Sequence, residues 1–138
     1  AVPHLTGVTA RIDTWDMEQL GVLQVAVRGE QRFRILDQAT DRQGLIVAKI
    51  EIPDAEPAVD IPQRLQPLLT LLRAIALDIG HERILEPHAF NDATWVGYRY
   101  AEMLPISSLA RQKLLELDDS ISRLEIIDKF LRQRGLLK

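Results

Sequence analysis

Apolar and polar side chains alternate with a period of two along the first 52 residues, which is typical of half-buried β-strands. Val25 and Val27 alternate with polar or small neighbours, and Phe33 and Ile35 alternate with arginines. Glycines separate the alternating stretches at spacings that favour hairpin turns. The pattern predicts an antiparallel meander carried by GVTARIDTW, LGVLQVAVRG, QRFRILDQ and GLIVAKIEI, with short turns at RGEQ and DRQG.

The period changes to 3.6 residues after a proline-rich connector, which predicts helices for the rest of the chain. Pro67 lies inside the first helical stretch and marks either a kink or the true start of the helix, and Gly80 ends it. Each later helix follows a serine, asparagine or aspartate, which are preferred at helix N-termini. The predicted helices are residues 61–79, residues 92–104, residues 108–117, and a last helix from Asp119 or Ser122 onward.

Strands come first along the chain and helices second, which indicates an α+β fold with segregated lobes rather than βαβ units. We therefore expect an antiparallel β lobe over 1–52, a linker over 53–60 and a lobe of four helices over 61–138. The second helix, TWVGYRYAEMLP, holds a tryptophan and both tyrosines and is apolar on two sides, so we expect it at the centre of the helical lobe. Gly97 costs about 1 kcal/mol against alanine in a helix, which suggests that a neighbour approaches closely there.

Composition and net charge argue against several classes of function. A net charge of −3 and a pI near 5.6 disfavour a nucleic-acid-binding surface, which usually carries a basic excess. No apolar run approaches 18 residues, so no membrane span is predicted. The absence of cysteine excludes disulfides and thiolate chemistry, and no signal peptide pattern opens the sequence. A cytoplasmic location is therefore expected.

Motifs for catalysis are absent from the sequence. The seven glycines form no phosphate-binding loop, and no G-x-S-x-G surrounds a serine. The histidines are His4, His81 and His88, and the last two lack the i, i+4 spacing of a helical zinc site. Solvated loop histidines are the preferred interpretation. We predict no catalytic residue, no cofactor and no metal site, and an unrecognised enzyme that uses His81 or His88 is the alternative.

Two groups of residues are candidates for binding. Trp15, Met17 and Leu20 form an apolar group near the first turn, where exposed apolar residues can mark a contact surface for polypeptides. Packing at the end of a barrel is the competing interpretation for Trp15 and Met17. A basic group in the β lobe could contact RNA phosphates, although nearby acids favour an ordinary solvated strand face; it consists of Arg28, Arg32 and Arg34.

Residues 91–127, NDATWVGYRYAEMLPISSLARQKLLELDDSISRLEII, resemble the C-terminal helical half of the Lon substrate-binding domain. The similarity lies in a helix that runs to A-E-x-L-P, a following R-Q-x-L-L-E helix, and an R-L-E-x-[IL] helix after L-D-D. Upstream, TGVTARI, GEQRFRIL and GLIVAKIEI are similar to strands of the same family. The resemblance covers nearly the whole chain.

The resemblance implies a PUA-like β barrel followed by a helical bundle, and a role in binding rather than catalysis. In the Lon family this domain helps to recognise unfolded or damaged protein, while the ATPase and the peptidase lie in later domains. The resemblance therefore implies a non-catalytic module for protein quality control, with protease or chaperone partners. An RNA-binding PUA-like module is the alternative, and a purely structural role is a further one.

One departure from the family pattern affects the β lobe. The family domain opens with a stretch like L-F-P-L…F-P, which supplies its first strands, and nothing similar precedes Ala1. Either a fragment or a short form completed by a partner would explain this difference. An incomplete sheet has unpaired edges, which favour pairing with another chain. We therefore expect a β lobe that is open, or closed by a second copy in a homo-oligomer.

Overall fold

The computed structural model describes residues 2–80, 83–84 and 86–138. Contacts along the chain divide it into two units, Ala1–Ala55 and Glu56–Lys138. In the described residues, the first unit holds an antiparallel sheet and the second holds four α-helices. The predicted α+β architecture, with strands first and helices second, is therefore confirmed.

Three strands form the sheet in the described part of the first unit, in the order β1-β2-β3. Their bounds are Thr6–Gln19 for β1, Val22–Thr40 for β2 and Ile46–Glu51 for β3. The β1–β2 hairpin closes through Leu20 and Gly21, and Gly21 has a φ of 84°, which side chains disfavour. The β2–β3 turn, predicted at DRQG, is confirmed, and the Asp41 side chain accepts hydrogen bonds from the backbone there.

The turn predicted at RGEQ is wrong, because β2 runs through residues 28–31 as one continuous strand. A β-bulge lies there instead, since Ala10 pairs with Gly29 whereas Val8 pairs with Arg32. The Thr9 hydroxyl accepts a hydrogen bond of 3.0 Å from the backbone N–H of Gln31 and so stabilises the bulge. Gly29, between polar residues, therefore marks a β-bulge and not a turn.

The β unit has no buried core. None of residues 2–55 is buried, and many of its large apolar side chains are more than 40% exposed. One contact within the unit is tight and local: the Phe33 ring lies over Gly7, where an added Cβ would come within 2.6 Å of the ring. The chain alone therefore leaves the β unit open, one of the two states that the sequence predicts.

The helices of the second unit begin at residues that favour a helix N-terminus. A 3-10 turn at Gln63–Leu65 precedes α1, Gln66–Ile79, and Pro67 lies in the first turn of α1, so it marks a start rather than a kink. The remaining helices are α2, Ala93–Met103, α3, Ser108–Glu116, and α4, Ser120–Gln133. Asp92, Ser107 and Asp119 each accept a hydrogen bond from a backbone N–H of the helix that follows. The alternative start of α4 at Ser122 is therefore wrong.

The predicted central position of α2 is confirmed, because α2 contacts α1, α3 and α4. Val96 and Tyr100 are almost fully buried in the core, together with Leu68, Leu72 and Leu124. The Tyr100 hydroxyl donates a hydrogen bond of 2.6 Å to the carbonyl of Leu68, and burial raises the pKa of this phenol. Each such leucine contributes about 1.5–3 kcal/mol relative to an exposed one, so the helical unit has its own apolar core.

Candidate functional site

The apolar candidates lie near the end of the β1–β2 hairpin. Trp15 is 69% exposed, Met17 is 46% exposed and Leu20, in the turn, is 95% exposed. The three residues are close along the chain: Trp15 and Met17 lie in the last part of β1, which ends at Gln19, and Leu20 follows in the turn. Large apolar side chains so exposed can contact a partner without rearranging a core.

Bulges in β1 and β2 gather further apolar residues beside Trp15. Paired residues of an antiparallel ladder have side chains on the same face, and Ile12 pairs with Val27 whereas Trp15 pairs with Val25. The bulge at Asp13 brings Ile12 and Trp15 to one face although three positions separate them. We call this surface the apolar ribbon face, and it consists of Val8, Ile12, Trp15, Leu23, Val25 and Val27.

The opposite face of the hairpin is charged. Arg11 and Arg28 are cross-strand partners, a pairing that would be repulsive without a counter-ion. Asp13 lies between them, 3.0 Å from Arg11 Nε and 3.5 Å from Arg28 Nε, and Arg11 is also 3.6 Å from Glu30. The hydrogen bond from Arg11, supported by both positive charges, holds the pKa of Asp13 below its ordinary value. Between Ala10 and Asp16 the hairpin is therefore an amphipathic ribbon, apolar on one face and ionic on the other.

The structure divides the basic group that the sequence suggested. The bulge between Gly29 and Arg32 shifts the strand register by one residue, so Arg28 lies on the ionic face while Arg32 and Arg34 share the other face. Arg28 already has Asp13 as an ion-pair partner, and Arg34 lies opposite Glu51 on β3. The three arginines do not form one continuous basic surface.

A buried arginine organises the helical unit. Arg123 of α4 is completely buried, and its Nε donates to the carbonyl of Leu114 at 2.9 Å while its Nη2 donates to that of Leu117. Its Nη1 and Nη2 each donate a hydrogen bond of 3.1 Å to the Glu56 carboxylate. The Tyr98 hydroxyl donates to the same carboxylate at 2.7 Å, and the guanidinium lies 4.2 Å from the centre of the Tyr98 ring. This geometry fixes the entry of the chain into the helical unit.

Gly97 makes room for this arginine. A Cβ added at Gly97 would lie 3.0 Å from Cδ of Arg123, closer than most side-chain contacts. The close approach that the sequence suggested at this glycine is therefore confirmed. The network itself was not predicted, because its partners Glu56 and Arg123 are 67 positions apart and neither belongs to a short motif.

Aromatic rings from the segment before α2 and from the first turn of α2 form a cluster. Phe90 lies between His88 and Trp95, with ring centres 5.6 Å and 5.0 Å apart in edge-to-face geometry. Arg73 lies over the Phe90 ring and Arg99 over the Trp95 ring, at 5.5 Å and 5.7 Å from the ring centres. These contacts attach the segment to α1 and α2, which is a structural role.

The histidines do not converge with other metal ligands in the described part of the chain. His88 contacts the carbonyl of Ile84 through Nε2 at 2.7 Å, and His4 lies before β1. His81, the other histidine of the enzyme alternative, lies outside the described residues. No group of three potential ligands among histidine, cysteine, aspartate and glutamate occurs in residues 2–80, 83–84 and 86–138.

An apolar pocket of about 520 Å³ lies between α3 and α4 in the helical unit. Leu114 and Leu117 form one wall, and Ile126 and Phe130 form the other. Its lining is mainly apolar and suits an aliphatic or aromatic group, and its charged lining residues, Lys113 and Glu116, pair with each other at 3.5 Å.

The model of the ATP-dependent protease La (LON) substrate-binding domain matches residues 4–133, nearly the whole chain. The chain belongs to this family. The Lon N-terminal domain protein from Xanthomonas campestris is 31% identical, with a TM-score of 0.76 over 91% of this chain and 68% of that one. The N-terminal domain of Mycobacterium avium complex Lon protease is 20% identical, with a TM-score of 0.60 over 88% of this chain and 67% of that one. The second likeness shows the fold alone, and no curated protein matches.

Membership of the LON substrate-binding family confirms the resemblance seen in the sequence. The family describes the part of the protease that binds substrate, not the part that cleaves it, so this chain is a substrate-recognition module. In the part of the chain that the structure describes, no helix is long and apolar enough to cross a bilayer.

Proposed function

We propose that this protein is a non-catalytic module that recognises exposed apolar segments of unfolded or damaged polypeptides. Trp15, Met17 and Leu20 at the end of the hairpin make the contact. One observation carries the proposal: a member of a substrate-binding family exposes these three large apolar side chains at the end of one hairpin. Recognition of this kind serves protein quality control in the cytoplasm, with a protease or chaperone as the partner that processes the bound chain.

Apolar contact fits a recognition module that must accept many sequences. Burial of apolar surface is non-directional, so it selects exposed hydrophobic residues rather than one sequence. Desolvating a leucine such as Leu20 contributes about 1.5–3 kcal/mol, which corresponds to at least a tenfold change in affinity. Such binding should depend little on ionic strength, in contrast to binding of RNA phosphates.

The test is binding of a labelled, permanently unfolded polypeptide at low and high salt, with single-stranded RNA as the parallel ligand. Leu20→Ala and Trp15→Ala are each expected to weaken polypeptide binding about tenfold or more, since each removes a side chain that the ligand would desolvate. Leu109→Ala is the matched control for Leu20→Ala, because Leu109 is 62% exposed on α3 and lies far from the hairpin in sequence.

Equal effects of Leu20→Ala and Leu109→Ala would refute the assignment of the hairpin end. Binding of RNA that weakens steeply with salt, together with no binding of polypeptide, would favour the RNA alternative instead. Hydrolysis of the polypeptide by the purified chain would contradict a non-catalytic role.

A further inference from the structure

The apolar pocket between α3 and α4 is a gap between two helices that share a neighbour. Both helices pack on α2, but they do not pack closely on each other. Leu104, Leu114 and Ile127 line the gap and are at most 8% exposed, whereas Ile126, which also lines it, is 50% exposed. We call this gap the α3–α4 pocket. It opens from a base in the core of the helical unit to the surface.

Two arginines hold α3 at both of its ends and keep the α3–α4 pocket from closing. Arg111 of α3 donates hydrogen bonds of 3.0 Å and 3.3 Å to the carbonyls of Ala101 and Leu104 at the end of α2. Arg123 of α4 donates one of 2.9 Å to the carbonyl of Leu114 in the last turn of α3. Carbonyls at the end of a helix have no partner within it, so closer packing of α3 on α4 would forfeit these bonds. The pocket is therefore pre-formed, which lowers the cost of binding a ligand.

The charges at the α3–α4 pocket cancel each other. Among the described residues that line it, only Lys113 and Glu116 are charged, and they form an ion pair of 3.5 Å whose side chains are 71% and 33% exposed. An anionic ligand would meet Glu116 and a cationic one would meet Lys113, so charge complementarity favours an uncharged apolar group. The ammonium and the carboxylate can still bond to the C=O and N–H groups of a peptide backbone that crosses the mouth of the pocket.

The size of the α3–α4 pocket and the family of the chain indicate what enters it. Its volume of about 520 Å³ lies within the range that is typical of sites for small ligands, about 300–1,000 Å³, so a large apolar side chain fits. Every described lining residue lies within residues 4–133, which match the substrate-binding model. An unfolded polypeptide presents the large apolar side chains that a folded protein buries.

We propose that the α3–α4 pocket binds a large aliphatic or aromatic side chain of an unfolded polypeptide. The side chain lies against Leu114, Ile126 and Ile127, and the backbone that carries it passes Lys113 and Glu116 at the mouth. The identity of the ligand rests on the proposed function, but the site belongs to the helical unit and not to the hairpin end.

Thiol protection tests the site directly, because the chain contains no cysteine. Ile126→Cys places a thiol in the α3–α4 pocket, and Leu20→Cys places one at the hairpin end. Leu109→Cys is the control, since Leu109 is 62% exposed on α3 and does not line the pocket. A cysteine-free, permanently unfolded polypeptide at about ten times its Kd is expected to slow maleimide modification of Ile126→Cys about tenfold and to leave Leu109→Cys unchanged. The same polypeptide with its leucines and phenylalanines replaced by serine should protect neither.

The pattern of protection separates this proposal from the proposed function. Protection of Ile126→Cys without Leu20→Cys would support the pocket and overturn the hairpin end as the contact. Protection of Leu20→Cys without Ile126→Cys, or equal protection of Ile126→Cys and Leu109→Cys, would overturn the pocket. Protection of Ile126→Cys by decanoate but not by polypeptide would assign the pocket to a small amphiphile instead. Protection that rises with chain concentration alone would assign it to a second copy.

Filling the α3–α4 pocket gives an independent test. Ala110 lines the pocket and is exposed, so Ala110→Trp places an indole in it without removing an apolar side chain from the core. Ala110→Trp is expected to weaken binding of the labelled polypeptide about tenfold or more, since the indole takes the place of the ligand side chain. Leu109→Trp, one position away and outside the lining, should bind like the natural chain. Equal affinities of the two variants would overturn the proposal, and helical circular dichroism verifies that both keep the fold of the helical unit.

Discussion

Replacing Arg123 by alanine is expected to lower the free energy of unfolding of the helical unit by about 3–5 kcal/mol. The guanidinium is completely buried, and the Glu56 carboxylate that it contacts is only 12% exposed. Removing the arginine leaves this carboxylate without its positive partner, and an uncompensated buried charge is the main source of the loss. The carbonyls of Leu114 and Leu117 also lose a donor.

The magnitude follows from the number and kind of these contacts. Hydrogen bonds to a charged group contribute about 1.5–3 kcal/mol each, but the cost of burying the arginine offsets much of their sum. A unit of this size has a total stability of about 4–12 kcal/mol at typical values per residue. The substitution therefore removes a large part of this stability. If the total free energy of unfolding is near about 4 kcal/mol, the variant unit is partly unfolded.

Urea unfolding followed by Trp95 fluorescence measures the effect. Trp15 is replaced by phenylalanine in every sample, so that the signal reports only the helical unit. Glu56→Gln removes the charge that Arg123→Ala would leave unpaired, so the double variant should lose less stability than the sum of the two single variants. This coupling separates the ion pair from the loss of packing.

Arg64→Ala is the control, because Arg64 pairs with Glu125 at the surface, where both side chains are about half exposed. This exposed pair is expected to contribute less than about 1 kcal/mol. If Arg123→Ala costs no more than Arg64→Ala, or if the losses at Glu56 and Arg123 are additive, the reasoning about the buried network is refuted.

Three further predictions test the helical unit. Leu72→Ala should cost about 2–5 kcal/mol in urea unfolding, whereas Leu77→Ala on the same helix should cost little, because Leu72 is fully buried and Leu77 is 71% exposed. Gly97→Ala should destabilise the unit despite a gain of about 1 kcal/mol in helix propensity, since Arg123 must move; an increase in the urea midpoint would contradict this. Hydrogen bonds from Ser122 lower the pKa of Asp119, so its stabilising effect is present above the ordinary pKa of 3.8 and is lost as pH falls through the lowered value. Asp119→Asn should therefore show a smaller loss of stability on acidification than the natural chain, and equal losses would contradict that role.

Local features of the sequence were sufficient to predict most secondary structure. Asp92 and Ser107 were recognisable as helix N-termini because a short side chain that accepts a backbone hydrogen bond acts within three residues. The change of period from two to 3.6 likewise predicted which part of the chain is sheet and which is helical. Exposure of Trp15 and Met17 near the first turn remained one of two interpretations until the structure showed both side chains exposed.

The sequence by itself determined that strands come first and helices second, where most helices begin, and the family, since each depends on patterns within a few tens of residues. The tertiary structure decided which faces the side chains occupy. Pairing between strands turned the expected RGEQ turn into a bulge, which separates Arg28 from Arg32 and Arg34, and the bulge at Asp13 brings Ile12 beside Trp15. The contact of Glu56 with Arg123 likewise joins distant positions. Strand register and buried ion pairs depend on contacts between segments far apart in the chain, and local patterns carry no information about them.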